Sequence, residues 1–348
     1  MRAVQVVRFG GPEALVPGRV PEPVAGAGQV LVEVAVAGLT FVETQIRRGT
    51  DRWHERPRLP YVPGGLVAGL VGAVGADVDP AWRGRRVVAG TGDTGGFAER
   101  AVAPVGNLIR VPDGLGLPEA IALCSDGSTA LGLTEHARTG HDDWVLVEAA
   151  AGGVGTLLVQ LARAAGARVI GAARGSRKLD VVRQLGADAV VDYSEPGWTG
   201  RVLEATGGAG PDVVFDGVGG RIGRAAFEVT ATGGRFSVHG ASSGEVTHVD
   251  SAEAGRMNVR LIGIDQLAGF GPHVARWAER MMARAVAGEV RPVIGQTFPL
   301  DRAADAHAAI ENRTVIGKTL IYVTASGGRP AIASGGRGGD SVTDRRYG

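Results

Sequence analysis

A chain of 348 residues with 44% hydrophobic side chains is long for one core and fits two globular domains plus an extension. Its net charge of +1 gives no global attraction to nucleic acid or anionic lipid, and its single cysteine, Cys124, excludes an intrachain disulfide and a multi-cysteine zinc site. A reduced, cytoplasmic setting is expected. The start, Met1–Arg8, alternates like a strand and lacks a signal-peptide core; Leu59–Ala76, the longest uncharged run, is glycine-laden and shorter than the roughly 20 residues of a membrane span.

Up to about Ala122 the signals are short strands and turns. Gln29–Gly38 alternates Val32, Val34 and Val36 against Leu31, Glu33 and Ala35, and Gly69–Val78 and Arg85–Ala89 read as further strands. This pattern predicts a compact β-rich domain with barrel-like closure. A helix from Leu117 to about His136, interrupted near Ser125-Asp126-Gly127, leads into the next domain.

The stretch Val145–Lys178 reads as strand, glycine turn, helix and strand. Val145–Ala150 is an apolar run, Ala151-Gly152-Gly153-Val154-Gly155 is a small-residue turn, and Leu157, Leu158, Leu161 and Ala165 share one helical face before Gly166 caps it. Against the dinucleotide fingerprint, Ala150 replaces the first glycine while Gly152 and Gly155 keep their spacing: Gly152 for close approach of the pyrophosphate, Gly155 for close packing of the helix. The next strand, Arg168–Ala173, ends without the Asp or Glu that holds an NAD ribose; Arg174, Ser176, Arg177 and Lys178 follow. Cations there suit a 2′-phosphate and favour NADPH. The alternative is a set of solvated basic residues at a helix start.

Further strands at Ala189–Tyr193, Asp212–Asp216, Gly234–Val238 and Arg260–Ile264 alternate with helices, and the six strands together argue for a doubly wound parallel α/β sheet. An amphipathic helix His273–Ala287, a helix Arg302–Ile310 and a last strand Thr319–Val323 complete the pattern. From Ala325 onward glycine pairs and polar residues show no burial pattern, which predicts a disordered tail over 325–348.

In order and spacing, Gly38-Leu39-Thr40-Phe41, Leu59–Gly64, Gly95–Glu99, Ala149–Gly155, Leu185–Asp188, Gly240–Gly244 and Gly317-Lys318 resemble the zinc-independent quinone oxidoreductases of the medium-chain dehydrogenase/reductase superfamily. The resemblance implies a Rossmann domain over 123–270 and a GroES-like catalytic domain over 1–122 and 271–324, with the active site between them. Zinc-dependent relatives carry ligands near Thr40, Gly65 and Ser125; none of these residues is a zinc ligand type, so no metal is expected. Without zinc to polarise a carbonyl, reduction of an activated quinone or enone remains, with the protein supplying proximity and orientation.

By the same resemblance, Thr40 and Glu43 stand where the family has Asn and Asp. They are candidates to hydrogen-bond the acceptor oxygen, with local backbone capping as the alternative. Gly152, Gly153, Val154, Gly155, Arg174 and Lys178 form the proposed NADPH site; Thr129 resembles a position near the nicotinamide, Gly240 and Ser243 lie at a strand end facing the cleft, and Tyr193 and Arg313 resemble further 2′-phosphate contacts. Lys318 is open between reaching the cofactor and covering the last strand. The Arg47–Arg58 stretch, with five arginines, reads either as a solvated loop or as a contact for an anionic acceptor. Leu66 follows Pro63-Gly64-Gly65 where the family has Glu, and Thr50 and Asp51 follow Gly49 where it has Tyr. The rival functions are an enoyl-thioester reductase and a non-catalytic NADPH-binding protein. The apolar segment Val259–Leu267 contains an edge strand suited to a homodimer.

Overall fold

The computed structural model describes residues 1–323; the tail expected over 325–348 lies outside the described residues. The chain begins with β1 (Arg2–Val6), β2 (Leu15–Arg19), β3 (Gln29–Leu39), α1 (Phe41–Arg48), β4 (Leu66–Val74), β5 (Arg86–Gly90), β6 (Arg100–Pro104) and β7 (Leu108–Arg110). There follow α2 (Leu117–Ala122), a π-helical turn Leu123–Gly127, α3 (Ser128–Ala137), β8 (Trp144–Val147), α4 (Gly153–Ala164), β9 (Arg168–Ala173), α5 (Ser176–Gln184) and β10 (Ala189–Asp192). The second half holds α6 (Trp198–Ala205), β11 (Val213–Asp216), α7 (Gly220–Glu228), β12 (Arg235–Val238), α8 (Ser251–Arg256), β13 (Arg260–Ile262), α9 (Val274–Val286), β14 (Ile294–Pro299), α10 (Ala303–Glu311) and β15 (Lys318–Tyr322).

Six parallel strands form one sheet in the order β10-β9-β8-β11-β12-β13, the doubly wound arrangement that the alternating apolar runs predict. Helices bury both faces. Leu157, Leu158 and Leu161 of α4 pack with Val145, Val147 and Phe215 on one side, joined by Trp277 and Met281 of α9, while Phe227 of α7 and Val202 of α6 cover Leu146, Val214 and Phe236 on the other. The last strand ends at Ile262, short of the expected Ile264, because the chain turns into 3-10 geometry over Ile264–His273.

The second sheet has seven strands in the order β14-β15-β3-β4-β5-β7, with β6 also on β3. Alternation on β3 buries Val30, Val32, Val34 and Val36. At 11 residues this strand is long enough to pair β6 along Gln29–Glu33 and β15 along Val36–Leu39 while β4 runs beside it. Two register shifts between β3 and β4 bend the sheet. It curls without forming one closed ring, so the expected barrel-like closure is only partly reached. The chain enters the parallel sheet and then returns to this one through β14 and β15, which carries Lys318 back to the boundary between the sheets.

At the carboxyl ends of β8 and β11, Glu148 and Asp216 are fully buried. Asp216 accepts from Val218 N at 3.0 Å, Gly219 N at 2.7 Å and Thr247 Oγ1 at 2.5 Å, whereas neither Glu148 oxygen has a partner. Burial first, and the Asp216 charge second, raise the Glu148 carboxyl well above the usual carboxylate range. The folded chain thus retains a proton that the unfolded chain releases once pH passes the ordinary glutamate value, so this group's contribution to stability falls as pH rises until the folded group ionises. Glu148→Gln removes that penalty: at about pH 8 its urea midpoint should exceed that of the wild type, with the gain vanishing near about pH 4. Equal midpoints at the higher pH would contradict a buried neutral carboxyl.

Candidate active site

The glycine turn caps α4 as its spacing requires. Gly152 is the N-cap, and the first-turn N–H groups that follow have no intrahelical acceptor. A Cβ on Gly155 would lie 2.4 Å from Ala149 O, so a larger residue would push the helix off the strand. Gly153 has a separate constraint that the fingerprint does not reveal: a Cβ there would meet Asp126 Oδ2 at 1.8 Å. The last connection also reaches this turn. Gly317 N donates to Ala151 O at 2.7 Å, and Gly317 bridges Gly152.

At the end of β9 a cluster of cations replaces the usual acid. Lys178 Nζ donates to Arg313 O at 2.7 Å. Arg313 has a left-handed backbone (φ 58°), its guanidinium lies 5.0 Å from the Phe41 ring, and it donates to Ser242 O. Burial, then the charges of Arg313 and Arg174, hold the Lys178 ammonium below its ordinary value. Burial also raises the neighbouring Tyr193 hydroxyl. Asp192, at the end of the neighbouring strand β10, accepts from Gly175 N at 2.7 Å and from Ser194 N at 2.8 Å, and so holds the turn. Lys178 is half-buried beside the exposed Arg174 and Arg313; the three cations repel one another and offer a dianionic phosphate the charge that a ribose-binding carboxylate would oppose.

Other expected cofactor positions are engaged locally. Thr129 Oγ1 donates to Ser125 O at 3.1 Å, Ser243 Oγ donates to Glu245 O at 3.1 Å, and a Cβ on Gly240 would stand 2.7 Å from Gly217 O. Gly240 thus keeps two strand ends close, while Ser243 orders its own turn.

A cavity of about 150 Å³ lies where α1, the start of β4, the π-helical turn and β15 meet, lined among others by Thr40, Glu43, Gly65, Leu66, Ser125 and Lys318. Thr40 and Glu43 form the capping box of α1: Glu43 Oε2 accepts from Thr40 N at 2.6 Å and Thr40 Oγ1 at 3.0 Å, and Oε1 accepts from Gly65 N at 3.2 Å. The capping alternative is therefore realised, although both residues still line the cavity. Burial raises the Glu43 carboxyl, with Thr40, Lys318 and Gly65 opposing the shift.

Ser125 completes the wall, and Asp126, which the motifs did not single out, stands beside it. The interruption at Ser125-Asp126-Gly127 is the π-helical turn, and it presents Ser125 and Asp126 to Lys318: Nζ lies 2.9 Å from Ser125 Oγ and 3.0 Å from Asp126 Oδ1. Broken helical periodicity was the available signal, but its partner stands 192 residues away. The arginine-rich stretch also needs correction. Arg47 is fully buried on α1 and pairs with Glu311, Arg48 pairs with the same carboxylate at 3.0 Å, and Arg56 stacks 3.9 Å from the Phe9 ring. Arg47 and Arg48 are committed to α10, so the stretch is not a uniform solvated loop.

The model of an alcohol dehydrogenase GroES-like domain matches residues 26–113, and that of a zinc-binding dehydrogenase matches residues 153–285. Two such domains around one cleft define a medium-chain dehydrogenase/reductase. The rat quinone oxidoreductase is 32% identical over 326 residues, spanning 93% of this chain and 98% of the relative. The Pseudomonas aeruginosa quinone oxidoreductase is 32% identical over 326 residues, spanning 92% and 99%. Among solved structures, the Escherichia coli quinone oxidoreductase complexed with NADPH superposes with a TM-score of 0.86 at 26% identity, covering 93% of this chain and 100% of that one. A mycobacterial protein complexed with NADPH gives 0.84 at 32% identity with the same coverage. The chain belongs to the quinone oxidoreductase family.

Proposed function

We propose that this chain is an NADPH-dependent reductase of quinones or related conjugated enones that works without zinc. The observation carrying this reading is the Arg174, Lys178 and Arg313 cluster beside Ala173, where no carboxylate takes the ribose. Gly152, Gly153, Val154 and Gly155 would receive the pyrophosphate on free N–H groups, with Tyr193 flanking the 2′-phosphate. Thr129, Gly240 and Ser243 would shape the nicotinamide end. Bound NADPH supplies hydride; Thr40 and Glu43 hold the wall against which the acceptor lies.

The positions that carry zinc ligands in other relatives, Thr40, Gly65 and Ser125, line one cavity with the Lys318 ammonium. The Lys318 ammonium would repel a dication, the three positions themselves offer only hydroxyls and backbone, and among the described residues no three His, Cys, Asp or Glu side chains cluster as a metal site. Strand β13 lies at the sheet edge, which supports a homodimer joined edge to edge; sedimentation velocity tests it. No helix among the described residues is long and apolar enough to cross a membrane, and a cytoplasmic enzyme with a small-molecule acceptor is the reading we adopt. We assign 1–122 and 271–324 to the catalytic domain and 123–270 to the nucleotide domain.

Steady-state NADPH oxidation with quinones, enones and enoyl-CoA thioesters, before and after exhaustive chelation, tests the reading. Quinones or enones should turn over equally in both preparations. Turnover of enoyl-CoA alone, of nothing, or only of the metal-replete protein would overturn it.

A further inference from the structure

Lys318 is placed with more precision than the covering of a strand requires. Its backbone is fixed from two directions: Gly317 N is bound to Ala151 O of the glycine turn, and Lys318 N donates to Val293 O at 2.7 Å. A Cβ on Gly317 would lie 2.0 Å from Val293 O, so this approach requires glycine. The side chain is 3% exposed and, among the described residues, is the only lysine or arginine lining the cavity. Burying an ammonium is costly unless its charge is compensated, and Asp126 provides the compensation.

An ammonium has three donors. Asp126 Oδ1 and Ser125 Oγ take two of them, and Ser125 Oγ in turn donates to Asp126 Oδ1 at 2.8 Å. Among the described residues no acceptor takes the third. The Glu43 carboxylate, which also lines the cavity, already accepts from Thr40 N, Thr40 Oγ1 and Gly65 N. The cavity therefore pairs an occupied carboxylate with a cation that has a donor to spare.

We propose that Lys318 is the catalytic electrophile and proton donor of this enzyme, with Ser125 and Asp126 as the positioning residues that aim it. The proposal rests on the reductase reading and names the donor that reading lacks. Hydride delivery brings two electrons to the conjugated acceptor, and negative charge gathers on its oxygen. One N–H bond of the ammonium breaks as an O–H bond forms; the bonding pair stays on nitrogen, and the amine regains a proton from solvent. The sum is one hydride and one proton per acceptor, as reduction of a quinone or enone requires. The same N–H stabilises the oxyanion before transfer, as a preorganised donor does.

The test is binding of 4-nitrophenol, whose absorbance separates phenol from phenolate, to the cofactor-free protein. The wild type should bind the phenolate and shift the bound phenol towards it; Lys318→Met should lose that shift, and Lys318→Arg should restore part of it. In turnover, Lys318→Met should lower kcat by about 100- to 1,000-fold, the effect of deleting one oxyanion donor, while the Kd for NADPH changes little. Because Lys318→Met strands Asp126, Lys318→Met/Asp126→Asn removes both charges and guards against misfolding; it should also lose the shift. A wild type that binds no phenolate, or either Met variant binding it as well as the wild type, overturns the proposal whether or not quinones turn over. A phenolate shift lost in both variants supports the placement of Lys318 even if the quinone panel fails, so the two readings fall separately.

Discussion

Lys178→Ala should weaken NADPH binding about 10- to 100-fold, because a charge-assisted contact to a phosphate contributes roughly 1.5–3 kcal/mol. NADH should be nearly unaffected, since it presents no 2′-phosphate to this corner. Calorimetric dissociation constants for both cofactors, on the wild type and the variant, check the result. Added salt should narrow the gap, because Arg174 and Arg313 are exposed and their charges are screened. The geometry adds a further expectation. Lys178 Nζ rests on the Arg313 carbonyl, and the Arg313 guanidinium spans Phe41 and Ser242, so the phosphate corner is tied to the start of α1 and to the Ser242 loop. Losing Lys178 removes one cation from a mutually repelling set, which leaves the cofactor-free chain no less stable while NADPH binds more weakly. Equal losses for NADPH and NADH, or a wild type that prefers NADH, would overturn the 2′-phosphate assignment.

Glu311→Ala should destabilise the catalytic domain by about 3–5 kcal/mol, the penalty of leaving a buried charge without its counter-ion. Arg47 is fully buried; its Nη2 pairs with Glu311, while Nε and Nη1 have no partner. The surroundings offer no substitute. His307 is buried on α10 with both ring nitrogens unpartnered, and burial, assisted by the Arg47 charge, holds it down at about 3, so it stays neutral. Removing both charges tests the cause: Arg47→Met/Glu311→Met should recover most of the loss in urea midpoint, because an apolar pair of similar volume carries no desolvation penalty. A single variant as stable as the wild type would show that the pair is not needed to hold α1 against α10. Since α1 carries the Thr40–Glu43 capping box and α10 leads into Arg313, this pair links the cavity wall to the phosphate corner.

Much of this architecture was legible without coordinates because it depends on local periodicity. The apolar runs at Val145, Arg168, Asp212 and Gly234 alternate with helical faces, and buried strands joined by crossover helices have few arrangements other than a doubly wound sheet. The glycine spacing at 152 and 155 is equally local, since a strand that turns directly into a helix leaves no room for a side chain. The capping box of α1 was present as Thr40 and Glu43, three residues apart, but the surrounding arginines read as a loop because their charge hides the short helical face.

Three features depended on tertiary structure because their partners are distant in sequence, and the first two form only when the chain returns to the first sheet. Arg47 and Glu311 are 264 residues apart, so their pairing, which takes Arg47 out of any solvated loop, has no local signature. Lys318 meets Ser125 and Asp126 across 193 and 192 residues, and it is the register of β15 against β3, with Gly317 held on the glycine turn, that directs its ammonium into the cavity. Glu148 and Asp216 are 68 residues apart at strand ends; the parallel pairing of β8 with β11 buries them together and raises the Glu148 carboxyl. Residue order determined which strands and turns form, whereas burial and charge compensation, properties of the assembled chain, decided which polar side chains are spent on structure and which remain available for chemistry.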